Sequence, residues 1–164
     1  QAIQPASIDL RLGSGAFYSR PVDGGGHIDV SRAEDVEASF HHSPLTQTID
    51  LLPGDFVIAT TAERITLPDN LVGIVNGKSS LGRLGLLIHA TAGFVDPGFS
   101  GQITLELSNV SRNPLLLRAG MRICQMSFQY LDVPANKPYG HPDLNSKYAG
   151  QEGATLSKYH LNKV

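Results

Sequence analysis

A single cysteine, Cys124, stands in a chain of 164 residues. It leaves no partner for a disulfide within the chain and excludes a zinc site built on paired cysteines. Charged residues make up only 17% against 41% hydrophobic, a balance that excludes a disordered chain, a coiled coil or a charged interaction tail. No apolar run approaches the ~20 residues of a membrane helix, and the stretch Leu84 to Ile88 is already broken by Gly85. Residues 1–10 lack the basic start and apolar segment of a signal peptide. A soluble, cytoplasmic, single-domain chain spanning 1–164 is expected. Thirteen basic against fifteen acidic residues, a net charge of −2, argue against nucleic-acid binding by phosphate neutralisation. The charge is uneven, however. Residues 1–62 hold three basic and eight acidic side chains and residues 63–164 hold ten and seven, so an anionic ligand belongs with the second part.

Also missing is any 10–15-residue helical pattern between strands, which argues against a parallel βαβ fold. What is present is short alternation between turn residues. Ser7 to Leu12 and Gln102 to Ser108 alternate cleanly, and Phe56 to Ala62, Leu71 to Asn76, Leu115 to Arg118 and Arg122 to Tyr130 read as further strands. Pro53-Gly54-Asp55, Pro68-Asp69-Asn70, Asp96-Pro97-Gly98 and Ala119-Gly120 mark turns. Only Ser79 to Leu87 reads as helical, about two turns long. The expected fold is all-β, a sandwich or jelly roll. Residues 14–47 read as a long irregular excursion. Residues 134–164 are polar and glycine-rich, with Tyr139, Tyr148 and Tyr159 spaced along them, and they either lie disordered or fold over a ligand or neighbouring subunit.

Gly77-Lys78-Ser79-Ser80-Leu81-Gly82-Arg83 is the densest concentration of chemistry. A cation, two hydroxyls and free N–H groups at a helix start favour an anion, and Arg83, about one turn on, could act as a bidentate clamp. From spacing alone the plainer alternative stands slightly ahead: Ser79 an ordinary N-cap, Lys78 and Arg83 solvated. Glu106 lies on the polar face of its strand with Gln102, Thr104 and Ser108. It either faces solvent, the commoner case, or sits in a pocket where a carboxylate can move protons. Asp96 before Pro97-Gly98 reads as turn chemistry. The histidines show no metal spacing, His89 reads as a satisfied core or interface histidine, Cys124 reads as a small core residue, and no nucleophile elbow is present.

The run Gly77 to Leu86, with Thr91-Ala92-Gly93-Phe94-Val95-Asp96-Pro97-Gly98-Phe99-Ser100-Gly101 and Ile103-Thr104-Leu105-Glu106-Leu107-Ser108-Asn109, closely resembles the dCTP deaminases of the trimeric dUTPase superfamily. Gln4 to Leu12, Leu67 to Leu71, Pro138-Tyr139 and Ser146 to Thr155 extend the likeness over nearly the whole chain. The resemblance implies a distorted jelly-roll homotrimer with active sites between subunits. It also implies zinc-independent hydrolytic deamination of dCTP, with Mg²⁺ held on the triphosphate rather than by the protein. Glu106 matches the proton shuttle, and Arg83 and Ser79 match residues that orient the water and stabilise the developing charge. Lys78 and Ser80 would serve the phosphates, within a substrate loop that includes Leu81 and Gly82. Asp96 matches the contact to the deoxyribose 3′-hydroxyl, which displaces the turn-only reading. The strand backbone at Thr104 and Leu105 would read the pyrimidine edge. Gln125, Tyr139, Lys147 and Gln151 match nucleotide contacts, which makes 134–164 a lid over the triphosphate.

Within that family, Gly93-Phe94 resembles the bifunctional, dUMP-forming group, where deaminase-only members commonly carry His-Arg. A small Gly93 would leave room for a second water near the α-phosphate. The expected product is therefore dUMP. The rival readings are an enzyme releasing dUTP only, a plain dUTPase, disfavoured by the Lys147 to Gln151 run, and a non-catalytic nucleotide-binding module, disfavoured by Ser79, Arg83 and Glu106 occurring together. The chain starts at Gln1 without the short helical segment that members usually carry before Gln4-Pro5, a departure expected to bear on trimer stability and not on the site residues.

Overall fold

The computed structural model describes residues 2–44 and 46–162. The chain runs β1 (Ile8–Arg11), β2 (Ala16–Ser19), α1 (Ala33–Ala38), β3 (Phe40–Ser43), β4 (Thr48–Leu51), β5 (Phe56–Thr66), β6 (Leu71–Gly77), α2 (Ser79–Gly82), β7 (Leu86–Leu87), β8 (Phe94–Val95), β9 (Ser100–Asn109), β10 (Leu115–Arg118) and β11 (Arg122–Tyr130). Three sheets form, ordered β1-β11-β6-β8, β10-β4 and β3-β2-β5-β9-β7, and the paired strands run antiparallel. The result is all-β, as the short alternating segments punctuated by turns predict, and it is the distorted jelly roll that the family resemblance implies. Among the described residues no helix is long and apolar enough to cross a membrane.

Alternation decides the packing. Along β9, Ile103, Leu105 and Leu107 are buried while Gln102, Thr104, Glu106 and Ser108 are half-buried on the opposite face. The buried set joins Leu10, Leu12, Leu51, Val57, Ile123 and Met126 in one core between the sheets. Each such side chain contributes about 1.5–3 kcal/mol by leaving water, so this face sets the register of the longest pair, β5 with β9. Along that pair Ile58 lies opposite Glu106 and Thr60 opposite Thr104, and the register shifts between Thr60 and Arg64.

Two expectations need correction. The helix from Ser79 stops at Gly82, and Leu86–Leu87 is a strand paired with Ser108 and Asn109. Gly85 at φ 89° turns the chain there, and a side chain on it would collide with Ser111, 2.6 Å away. The stretch 14–47 is not irregular: it holds β2, α1 and β3, with Phe17 paired to His42 and to Ile58. Its residue 45 lies outside the described residues. The element is hard to see because α1 buries only Val36, and β2 and β3 are four residues each, too short to show a period.

Candidate active site

A cavity of about 610 Å³ opens between the outer face of β5 and β9, the β8 region and the C-terminal segment. Glu106, Thr104 and Asp96 line it from the body, with Ala92 and Phe94, and Tyr139, Tyr148 and Gln151 close it from the tail. Glu106 is held by the chain crossing in front of it. The Ala90 N–H donates to Oε2 at 2.7 Å, and the Glu106 N–H donates to the Ile88 carbonyl at 3.0 Å. A carboxylate accepts about four hydrogen bonds, so Glu106 keeps acceptor capacity for a water in the cavity.

The edge of β9 beside Glu106 is incompletely paired. The Gln102 N–H donates to Gln151 O at 3.1 Å and that of Glu106 to Ile88 O, both away from β5. By the twofold alternation of a strand, Thr104 between them turns its N–H and C=O to that same edge. Its Oγ1 is buried without a hydrogen-bond partner among the described residues, as is Gln151 Oε1. Unpaired buried polar atoms carry a desolvation cost that a bound polar ligand would remove. Leu105 does not share this exposure. Its side chain is in the core, it pairs with Ala59 of β5, and it does not line the cavity.

The tail is fastened at both ends of the cavity. Tyr139 donates its N–H to Pro97 O at 2.7 Å, packs its ring 5.8 Å from that of Phe99, and accepts the Tyr148 N–H on its hydroxyl at 3.1 Å. Burial pushes the Tyr139 hydroxyl above the usual tyrosine range. This docking needs Gly98, at φ 85°, because a side chain there would sit 2.6 Å from Pro138. Further on, Gly150 N–H donates to Ser100 O, Gln151 Nε2 to Gln102 O at 2.7 Å, and Gly153 N–H to Gln102 Oε1 at 2.6 Å. Arg64 pairs with Glu152 at 3.3 Å. Tail anchoring by Gln102 and the Ala90 N–H at Glu106 were both missed in the sequence. Gln102 carried a signal, since it alternates onto the face of Glu106; a backbone donor leaves none.

The remaining expected residues lie elsewhere in this chain. Lys78, Ser79, Ser80, Leu81, Gly82, Arg83, Gln125 and Lys147 do not line the cavity. Lys78, not Ser79, occupies the N-cap of α2 and caps with no side chain, so the Ser79 and Ser80 hydroxyls are exposed and uncommitted. One helical turn sums too few peptide dipoles to bind an anion by itself, so this loop must rely on its side chains. Lys78 is half-buried and committed, its Nζ lying 2.5 Å from Oδ1 of the buried Asp9. Arg83 is exposed. Gln125 accepts from Ser7 Oγ and donates to Gly77 O, each at 3.4 Å. The Lys147 ammonium bonds Asn162 Oδ1 within the tail.

Phe94 lines the cavity and is exposed, whereas Gly93 just before it does not line it. The space left by the missing Gly93 side chain is not open to water. A Cβ there would meet Val75 O at 2.7 Å and His89 Nε2 at 2.9 Å. Glycine is needed because the chain lies against β6, where the Val75 N–H donates to Gly93 O at 2.7 Å.

A family model described as dCTP deaminase-like matches residues 1–131. A Dictyoglomus thermophilum protein named dCTP deaminase, dUMP-forming, is 48% identical across 98% of this chain and 82% of its own length. Its namesake from Mycolicibacterium gilvum is 49% identical across 99% of this chain and 85% of its own. The crystal structure of 2'-deoxycytidine 5'-triphosphate deaminase from Agrobacterium tumefaciens superposes with a TM-score of 0.63 at 31% identity, over 80% of this chain and 40% of that one.

Proposed function

The chain belongs to the dCTP deaminase-like family, and from that premise we propose that it hydrolyses dCTP to dUMP, ammonia and pyrophosphate. The observation that carries this reading is the Glu106 carboxylate on the cavity wall beside the unpaired edge of Thr104. A pyrimidine laid against that edge finds one backbone donor and one acceptor from Thr104, and its C4 carbon comes toward Glu106. Glu106 takes a proton from a water as its oxygen bonds to C4 and hands it to N3, then carries the proton of the new C4 hydroxyl to the departing amine. The C4–N bond breaks and ammonia leaves. The Ala90 N–H, donating to Oε2, fixes the carboxylate through both transfers. Asp96, exposed at its turn, accepts from the sugar 3′-hydroxyl.

In the second half-reaction, water adds to the α-phosphorus and the bond to the bridging α–β oxygen breaks, releasing pyrophosphate. Relatives named for dUMP formation support this step, at 46–49% identity to this chain. Among the described residues no group of three or more His, Cys, Asp or Glu gathers to cage a metal. Mg²⁺ carried by the phosphate oxygens would neutralise charge on the pyrophosphate leaving group. Lys78, Ser80, Gln125 and Lys147 serve the phosphates with Tyr139 and Gln151, and the tail excludes water as a lid.

Ser79 and Arg83, which orient the attacking water, come from a neighbouring copy in a homotrimer. Their absence from this chain's own cavity supports that arrangement, as do the exposed apolar side chains Ile3, Leu84, Leu87 and Leu116. Glu106→Gln tests the reading. It keeps the shape and hydrogen bonding but cannot shuttle a proton, so deamination should fall by at least ~10²-fold while dCTP binding by calorimetry persists. Turnover near the parental rate would rule out the shuttle.

A further inference from the structure

One charged group is almost wholly buried and has no part in the chemistry above. Asp9, on β1, is 2% exposed. Its Oδ1 takes the Lys78 ammonium at 2.5 Å, and its Oδ2 lies 3.2 Å from Gln4 Nε2 and 3.6 Å from Arg122 Nη1. Lys78 sits 69 positions later, at the mouth of the Ser79-Ser80 loop, and Arg122 opens β11 beside it. In register Asp9 faces Gln125, whose amide reaches Gly77 O, the residue before Lys78. A carboxylate removed from water is tolerated only where cations and donors replace its hydration. Here two cations surround one anion, so the patch keeps a net positive charge. The partners differ in exposure, with the Lys78 side chain at 23% and that of Arg122 at 49%.

We propose that Asp9 is a positioning residue for polyphosphate binding: it anchors the Lys78 ammonium, with Arg122 as the second cation, ready to receive the phosphates of the substrate. An ammonium has three donors. Asp9 occupies one and fixes the direction of the other two. A free lysine stem would lose its rotamer freedom on binding, whereas one already pinned by a buried carboxylate has lost it on folding. Arg122 supplies planar donors beside it. The inference rests on the reading of Lys78 as a phosphate ligand.

The test compares Asp9→Asn, Lys78→Met and the double variant with the parent. Two readouts are used, steady-state kinetics on dCTP and calorimetric binding of inorganic tripolyphosphate, with melting temperature as the folding control. Asp9→Asn should raise KM for dCTP about tenfold and weaken tripolyphosphate equally, with kcat changed less than about threefold, the pattern of lost uniform binding. Lys78→Met should do the same, and the double variant should be no worse than Lys78→Met alone, because coupled residues are not additive. An unchanged KM with a lowered melting temperature would overturn the inference and make Asp9 a purely structural residue. So would effects of the two substitutions that multiply. If Asp9→Asn fails to fold, Asp9→Glu takes its place: displacing the anchor by one methylene should still raise KM and weaken tripolyphosphate binding, and unchanged values of both would contradict the inference. A parent that leaves dCTP untouched would sink the deaminase reading alone, because tripolyphosphate still reports on Asp9.

Discussion

Cys124 adjoins Gln125 on β11 but lies wholly buried in the core, opposite Leu10, and burial pushes its thiol up to about 12. In the unfolded chain a thiol titrates near ~8.5. The folded state therefore holds the proton longer, and the stability this group contributes is complete below about pH 8.5 and drains away as pH rises toward 12. A thiol reagent at about pH 8 should leave Cys124 unmodified in the native protein and react fully in denaturant, and the melting temperature should fall on going further alkaline. Rapid modification of native protein would contradict this burial. Asp9 shows what alternation cannot see. The pattern Ser7 to Leu12 puts it on a polar face, and nothing local announces that Lys78, Arg122 and Gln4 will close over it. Glu106 was legible to the level of its face. Its Ala90 donor and its neighbour Thr104 with an unpaired hydroxyl became visible only with the fold.

Strands flanked by strong turn residues are the elements the sequence specifies well. Leu115–Arg118 and Arg122–Tyr130 have the expected bounds, and β5 and β9 extend beyond theirs. Legibility failed where an element depends on distant partners. β7 exists because Gly85 reverses the chain onto β9, and the helix that periodicity extends to Leu87 ends at Gly82. Among the described residues the C-terminal segment has no regular strand, yet its tyrosines and glycines fasten it. Tyr139 receives the Tyr148 N–H, the Tyr148 hydroxyl receives that of Lys158 at 3.0 Å, and Gln102 takes Gly153. Deleting residues 147–164 removes the second half of this wall but none of the core. The shortened protein should still fold, by circular dichroism, while kcat/KM for dCTP falls about tenfold or more through KM and kcat together. Unaltered kinetics would mean that the tail is not a lid.

At the scale of the whole molecule, one chain supplies Glu106, Asp96, Thr104, Tyr139 and Gln151 to a single cavity and holds Lys78 to Arg83 away from it. In the proposed trimer the two sets come from neighbouring copies. Glu106→Gln and Arg83→Ala should each be inactive as pure proteins, and unfolding and refolding them together should regain activity, because mixed assemblies contain some sites with both wild-type residues. A mixture as inactive as its components would place the whole site within one chain. The central claim is tested most directly by the products. Purified protein is incubated with dCTP and Mg²⁺, and the nucleotides are resolved by anion exchange over time. The account predicts dUMP and pyrophosphate appearing together with no build-up of dUTP; dCTP left intact, or dUTP accumulating as the end product, would contradict it.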